Sequence, residues 1–201
     1  MTDRTGDICS DDWQRLITAR EMYARSSGIH YDEILHQVAQ WAQREGSIGK
    51  ADIGALLLFK RLRADAPWAR ALMTTADTAV RQATAAATAA VRNPALSRSE
   101  AARAGRAALA GLPGFTRGDA LASTVLTAAA PHRMAVYDRR AHTALSSLGI
   151  SLTHASGYSR YIAALDDLLS QAPSPAHAWT PRDLDIALYC LPPNSAGMGS
   201  A

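Results

Sequence analysis

The chain has 201 residues, 48% of them apolar and 19% charged. That is enough length to bury a sizeable core and an ordinary composition for a folded protein, which excludes a peptide scaffold, wholesale disorder and a low-complexity fibre. Its two cysteines, Cys9 and Cys190, stand at opposite ends, so a disulfide framework, a zinc ribbon and a four-cysteine iron–sulfur centre are excluded too. The formal charge of +3 is uneven: residues 93–145 carry 7 bases against 3 acids, while residues 146–201 carry 2 against 4. Local excess of this kind matters more to a polyanionic partner than the total.

Apolar spacing is helical almost throughout, with no sustained two-residue alternation, so an all-α fold of about eight to ten helices is expected. Asp11 or Asp12 can cap a first helix carrying Trp13, Leu16 and Ile17, and Ile34, Leu35, Val38 and Trp41 form the face of a second. Ile53, Leu56, Leu57 and Leu62 mark a third helix, apolar on most sides and so expected at the centre, with Lys60 read as an edge residue whose stem snorkels. Asp65 is expected to open one long alanine-rich helix ending near Asn93-Pro94. Ser97 with Glu100 reads as a capping box for the next helix, which runs to Ala110 with Arg103 and Arg106 on a solvated face. Gly111-Leu112-Pro113-Gly114-Phe115-Thr116 then forms a hairpin into a helix expected over 117–129.

Past Pro131, the short apolar step Met134-Ala135-Val136-Tyr137 leads to Asp138, expected to cap a helix whose inner face is Ala141, Ala144, Leu145 and Leu148. Tyr158, Tyr161, Ile162, Leu165, Leu168 and Leu169 share one stripe, and Thr180-Pro181-Arg182-Asp183 opens a last helix with Leu184, Ala187, Leu188 and Leu191 inward. Trp41, Trp68, Tyr158, Tyr161 and Trp179 are core candidates. Residues 11–191 form one domain, with disordered segments expected at 1–10 and 192–201. The acidic, polar start lacks a targeting pattern and no run is long enough to span a membrane, so a cytoplasmic protein without a membrane partner is expected.

Nucleotide-loop, nucleophile-elbow, zinc-protease and calcium-loop motifs are all lacking. The six histidines show no ligand spacing, so no metal and no cofactor are expected. The informative stretch is GLPGFTRGDALASTVLTAAAPHRMAVYDRRAHTAL, whose hairpin-to-aspartate spacing resembles the helix-hairpin-helix superfamily of DNA glycosylases. IGALLLFKRLR upstream and WTPRDLDIALYCL downstream further resemble bacterial proteins with an 8-oxoguanine DNA glycosylase-like fold, extending the resemblance over residues 45–191. It implies two closely packed helical lobes with a cleft between them, a monomer acting on DNA that contains a damaged or modified base, and catalysis by Asp138. Gly114, Phe115, Thr116, Arg117, Gly118, Arg139 and Arg140 would then contact DNA.

Elementary chemistry gives these residues the same tasks. A hairpin between helices leaves N–H groups and a positive dipole end for a phosphate, and Gly114 permits close approach. A carboxylate at a helix start can stabilise positive charge on a deoxyribose and orient or deprotonate the attacking water. Arg117, Arg139 and Arg140 can neutralise phosphates around an extruded nucleotide. The chain departs from the family at two places. Thr116 replaces the second hairpin glycine, and Gly118 stands where lyase-active members carry a nucleophilic lysine. The expectation is therefore an N-glycosyl hydrolase without lyase activity, with Lys60 as an alternative nucleophile. A noncatalytic helix-hairpin-helix DNA-binding or phage-defence module is the competing reading, and an all-α protein-interaction module is the third.

Overall fold

The computed structural model describes residues 8–25, 28–152 and 157–192. Among them are ten α-helices, one 3-10 turn and no strand. In chain order these are α1 (Ser10–Ala24), α2 (Gly28–Glu45), α3 (Lys50–Lys60), α4 (Pro67–Thr74), α5 (Asp77–Arg92), α6 (Arg98–Leu109), α7 (Ala120–Ala129), α8 (Arg139–Ser147), α9 (Gly157–Ser170), a turn at Ala176–Ala178, and α10 (Pro181–Cys190). No helix among the described residues is long and apolar enough to cross a membrane. The expected disordered segments fall mostly on residues 1–7 and 193–201, outside the described residues, whereas Ser10 already belongs to α1.

The ends of the helices follow local chemistry. α1 is capped by Cys9 rather than by either aspartate, so Asp11 and Asp12 lie in its first turn, where their charge suits the dipole. Ser97 and Glu100 form the expected reciprocal capping box of α6, and Thr180 and Asp183 make another at α10, where Asp183 also pairs with Arg20 of α1 at 2.8 Å.

The expected long helix from Asp65 is instead two helices, broken at Thr75 and Ala76, both extended. Thr74 and Thr75 turn their hydroxyls back onto the Ala71 carbonyl, a local bond that competes with helix continuation. The start of α3 occupies the gap. The Lys50 backbone N–H donates to Asp77 Oδ1 at 2.8 Å, and Lys50 Nζ donates to the carbonyls of Met73 and Thr75. Fully buried Thr84 adds a second clamp, its hydroxyl donating to Ile48 O at 2.8 Å while accepting from Ile48 N at 3.0 Å. The turn into α3, and hence the direction of Lys60, is fixed by these bonds.

The central helix is α7, not α3. Leu121 through Ala129 are all buried, and α7 packs against α2, α3, α5 and α6, whereas α3 leaves Leu58 62% exposed. α7 begins at Ala120, three residues later than expected, because Gly118 has φ +70° and Asp119 takes the cap position. The alanine-rich α5 lies against α6, where methyl groups of Val91 and Leu126 lie 2.8 Å from the place a Cβ on Gly105 would take, so a larger residue there would have to push them back. On the other side α10 packs on α1, α8 and α9. The aromatic stripe of α9 is buried as expected, but Trp41 is 45% exposed beneath the Arg44 guanidinium. One continuous apolar cluster runs through the described helices.

Candidate functional site

Asp138 sits where an extended, buried segment meets α8. Met134, Ala135 and Val136 are buried, and the Tyr137 N–H donates to Ser123 Oγ of α7 at 2.9 Å, so the approach to Asp138 is fixed by the central helix. Asp138 caps α8 as expected, Oδ1 accepting the Arg140 backbone N–H at 2.9 Å. Its second oxygen accepts Lys60 Nζ at 2.5 Å. Lys60 is the last residue of α3, at a helix end whose carbonyls favour a cation. The side chains of this pair are 11% and 25% exposed, so Lys60 is not the solvated edge residue of the sequence reading. The next residue, Arg61, closes α3 with φ +54°, a left-handed conformation unusual for a residue with a Cβ, and stacks its guanidinium 4.5 Å over Tyr31.

Lys60 and Asp138 line a small cavity of about 100 Å³. Tyr23, Tyr31, Phe59 and Tyr189 supply aromatic walls, and Arg182 and Asp185 supply charge. Arg182 donates to Asp32 Oδ1 at 2.9 Å and makes a very short contact with Asp185, whose other oxygen accepts the Tyr161 hydroxyl at 2.7 Å. Buried ions are tolerable when so many of their hydrogen-bonding positions are filled.

The electrostatics differ between the two wall carboxylates. Burial raises the Asp138 pKa, but the Lys60 hydrogen bond, the Arg140 N–H and the charges of both residues outweigh it, leaving the carboxyl below its usual value. Asp185 goes the other way. Desolvation pushes it up, and Arg182, Tyr161 and Lys60 offset this only in part. Arg182 is held more firmly charged than usual, because Asp185 and Asp32 overcome its desolvation. The cavity thus presents one ionised, amine-paired carboxylate at a helix start, together with the hydrogen-bonded Arg182 and Asp185 and several aromatic rings. Such a carboxylate can stabilise a cation or take a proton from water.

The hairpin residues divide into two that pack within the chain and three that face outward. Phe115 is fully buried and its N–H donates to Leu112 O at 3.1 Å, so neither its ring nor its amide faces outward. Gly114 has φ +89° and is covered by the Trp68 indole, whose Cε3 would lie 2.3 Å from a Cβ built there. The close approach at Gly114 is that of a ring of the same chain. Thr116, Arg117 and Gly118 are exposed at the tip. Behind them Arg106 pairs with Asp119 at 2.8 Å and donates to Gly118 O, and is not a solvated face residue. Arg139 and Arg140 are exposed beside Asp138, with Arg140 5.1 Å over Tyr189.

The structure therefore brings together Asp138, Lys60 and the adjoining arginines. Among the described residues, none of 114–118 lines the cavity, and no group of three or more His, Cys, Asp or Glu side chains is arranged to hold a metal. Sequence reasoning missed Tyr23, Tyr31, Arg182 and Asp185. The readable signal was Asp185, an acidic residue between the inward positions Leu184 and Leu188, where an unpaired charge is costly. Comparison of the chain with protein-family models, curated proteins and solved structures gives no match.

Proposed function

We propose that the chain is a DNA glycosylase-like N-glycosyl hydrolase with a helix-hairpin-helix glycosylase-like arrangement, in which Asp138 assists attack by water on the sugar carbon bearing a damaged or modified base. The observation that carries this reading is the Asp138 carboxylate, held ionised at a helix start on the wall of a cavity with aromatic sides. As the N-glycosidic bond lengthens, positive charge grows on the deoxyribose. Asp138 stabilises it and orients or deprotonates the incoming water, while the base leaves with a proton. Arg139, Arg140 and the exposed tip residue Arg117 neutralise flanking phosphates, so that DNA affinity falls with salt.

The test is a screen of duplexes and single strands bearing oxidised, alkylated, deaminated and hypermodified bases, with abasic-site formation as readout. Salt-dependent DNA binding without release of any base favours the noncatalytic module. Absence of salt-dependent binding favours a protein-interaction module.

A second reading is favoured by the Lys60 contact. Although Gly118 leaves the hairpin helix without an amine, Lys60 brings one to 2.5 Å from Asp138. Once the ammonium has lost a proton to solvent, the Lys60 amine can attack the sugar carbon in place of water, the base leaving with a proton while the Asp138 carboxylate stabilises the positive charge that grows on the sugar. Borohydride reduction separates the two. A trapped protein–DNA adduct that is lost in Lys60→Ala and kept in Lys50→Ala assigns the amine route, and no adduct leaves water as the nucleophile.

A further inference from the structure

A second cavity, of about 580 Å³, lies beside the first, between the C-terminal ends of α1 and α10 and one face of α8. Tyr23 and Tyr189 line both cavities. Arg140, two residues beyond Asp138, lines the second one and lies over the Tyr189 ring. The two cavities differ in kind. The one beside Asp138 carries Lys60, Asp138, Arg182 and Asp185 on its wall and, at about 100 Å³, is well below the roughly 300–1,000 Å³ of ordinary ligand pockets. The other falls within that range, and its lining is chiefly carbon: Tyr23, Ala144, Tyr189 and Leu191, with Met22 on its margin.

We infer, resting on the glycosylase reading above, that the substrate base carries a bulky apolar substituent, housed in this second cavity. With the sugar carbon held at Asp138, the base meets the Tyr23–Tyr189 wall, and only a group reaching past that wall enters the larger space. Tyrosine faces and aliphatic side chains reward a flat aromatic or branched hydrocarbon group and give little to the single oxygen atom of an oxidised or deaminated base. The shared walls tie this occupant to the same site, and the cavity, several times the roughly 150 Å³ that holds a benzene ring, has ample room for a ring-sized group.

The test uses the full chain and two readouts. The first is base release from duplexes containing N6-benzyladenine, hypoxanthine or 8-oxoguanine. The second is calorimetric binding of free N6-benzyl-2′-deoxyadenosine against 2′-deoxyadenosine. The benzylated forms are expected to be preferred by about tenfold or more, the range expected for burying one ring-sized apolar group. Thr143 is exposed on α8 and lines the cavity. Thr143→Trp fills the space from its rim and should bring that preference ratio close to one, with the helical circular dichroism retained. Release of the small lesions without a benzyl preference, or a preference untouched by Thr143→Trp, overturns the inference and leaves the glycosylase reading standing. A Thr143→Trp-sensitive nucleoside preference with no base release from these duplexes or from the wider lesion screen supports the cavity as the place of the apolar group and overturns the glycosylase reading. Nucleoside binding that emerges only after residues 193–201 are removed identifies the chain's own C-terminal segment as the occupant and overturns the inference.

Discussion

Replacing Gly114 by alanine should destabilise the fold before it affects any ligand. The φ of +89° is a left-handed conformation that costs a residue with a Cβ roughly 1–2 kcal/mol. A Cβ there would also stand 2.3 Å from Trp68 Cε3 and 2.9 Å from Cδ2. Those are ring atoms of a side chain packed against the core, so displacing them adds an overpacking cost of about 1–3 kcal/mol. The combined loss of about 2–5 kcal/mol should lower the melting temperature of a chain this size by roughly 4–20 °C. Urea unfolding of the wild type, Gly114→Ala, Trp68→Ala and the double variant separates the two causes. In the Trp68→Ala background only the backbone strain remains, so Gly114→Ala should cost about 1–2 kcal/mol there. DNA affinity measured below the melting transition should fall similarly for all sequences only to the extent that the hairpin tip shifts. An equal cost of Gly114→Ala in both backgrounds, or a cost under about 0.5 kcal/mol, refutes the packing account of this glycine.

Three further outcomes follow from the buried polar contacts. Thr84→Val keeps the side-chain shape but strands the Ile48 N–H and C=O, and should lower urea stability by about 1–3 kcal/mol. Arg182→Met leaves Asp32 and Asp185 buried without their shared cation, and should cost about 3–5 kcal/mol, a loss that Arg182→Lys does not repair because one ammonium cannot serve both carboxylates in the fork geometry. Asp138 and Asp183 have folded pKa values below the ordinary 3.8, so the stability they contribute is fully present above that value and is lost as pH falls through the lower, folded one. Acid titration of the melting temperature should therefore show a smaller loss below pH 4 in Asp183→Asn than in the wild type, and an identical titration in both contradicts the assignment.

How far the sequence reached depended on whether the signal was local. Periodicity and caps are local, so the α6 and α10 boxes, the Asp138 cap and the aromatic stripe of α9 were legible. The break before Asp77 was not, because it is held by the N-terminus of α3, which lies more than twenty residues away in sequence. Centrality was misassigned to α3 for a related reason. Its run of leucines reads as core, but α3 also carries Lys50, Asp52 and Lys60, whereas α7 has no charge and its small side chains let four helices close on it. At the candidate site, the hairpin-to-aspartate spacing pointed to Asp138, whereas the pairing with Lys60 spans 78 positions and no spacing rule reaches that far. Phe115 and Gly114 show the opposite limit. A motif gives the residue types of a turn, whereas the neighbour covering it, here Trp68 from α4, depends on the whole fold.

The glycosylase activity proposed for this chain depends on one carboxylate, and it is tested by base release from Asp138→Asn on whichever modified duplex loses its base to the wild type. Asparagine can still accept the Arg140 N–H and cap α8 but leaves the Lys60 ammonium without its counter-ion, so the melting temperature should fall while the chain stays folded at the assay temperature and salt-dependent DNA binding persists. It cannot carry the negative charge or accept the proton, so single-turnover base release should fall by at least about 100-fold. Base release at the wild-type rate in a folded, DNA-binding Asp138→Asn protein would contradict the account.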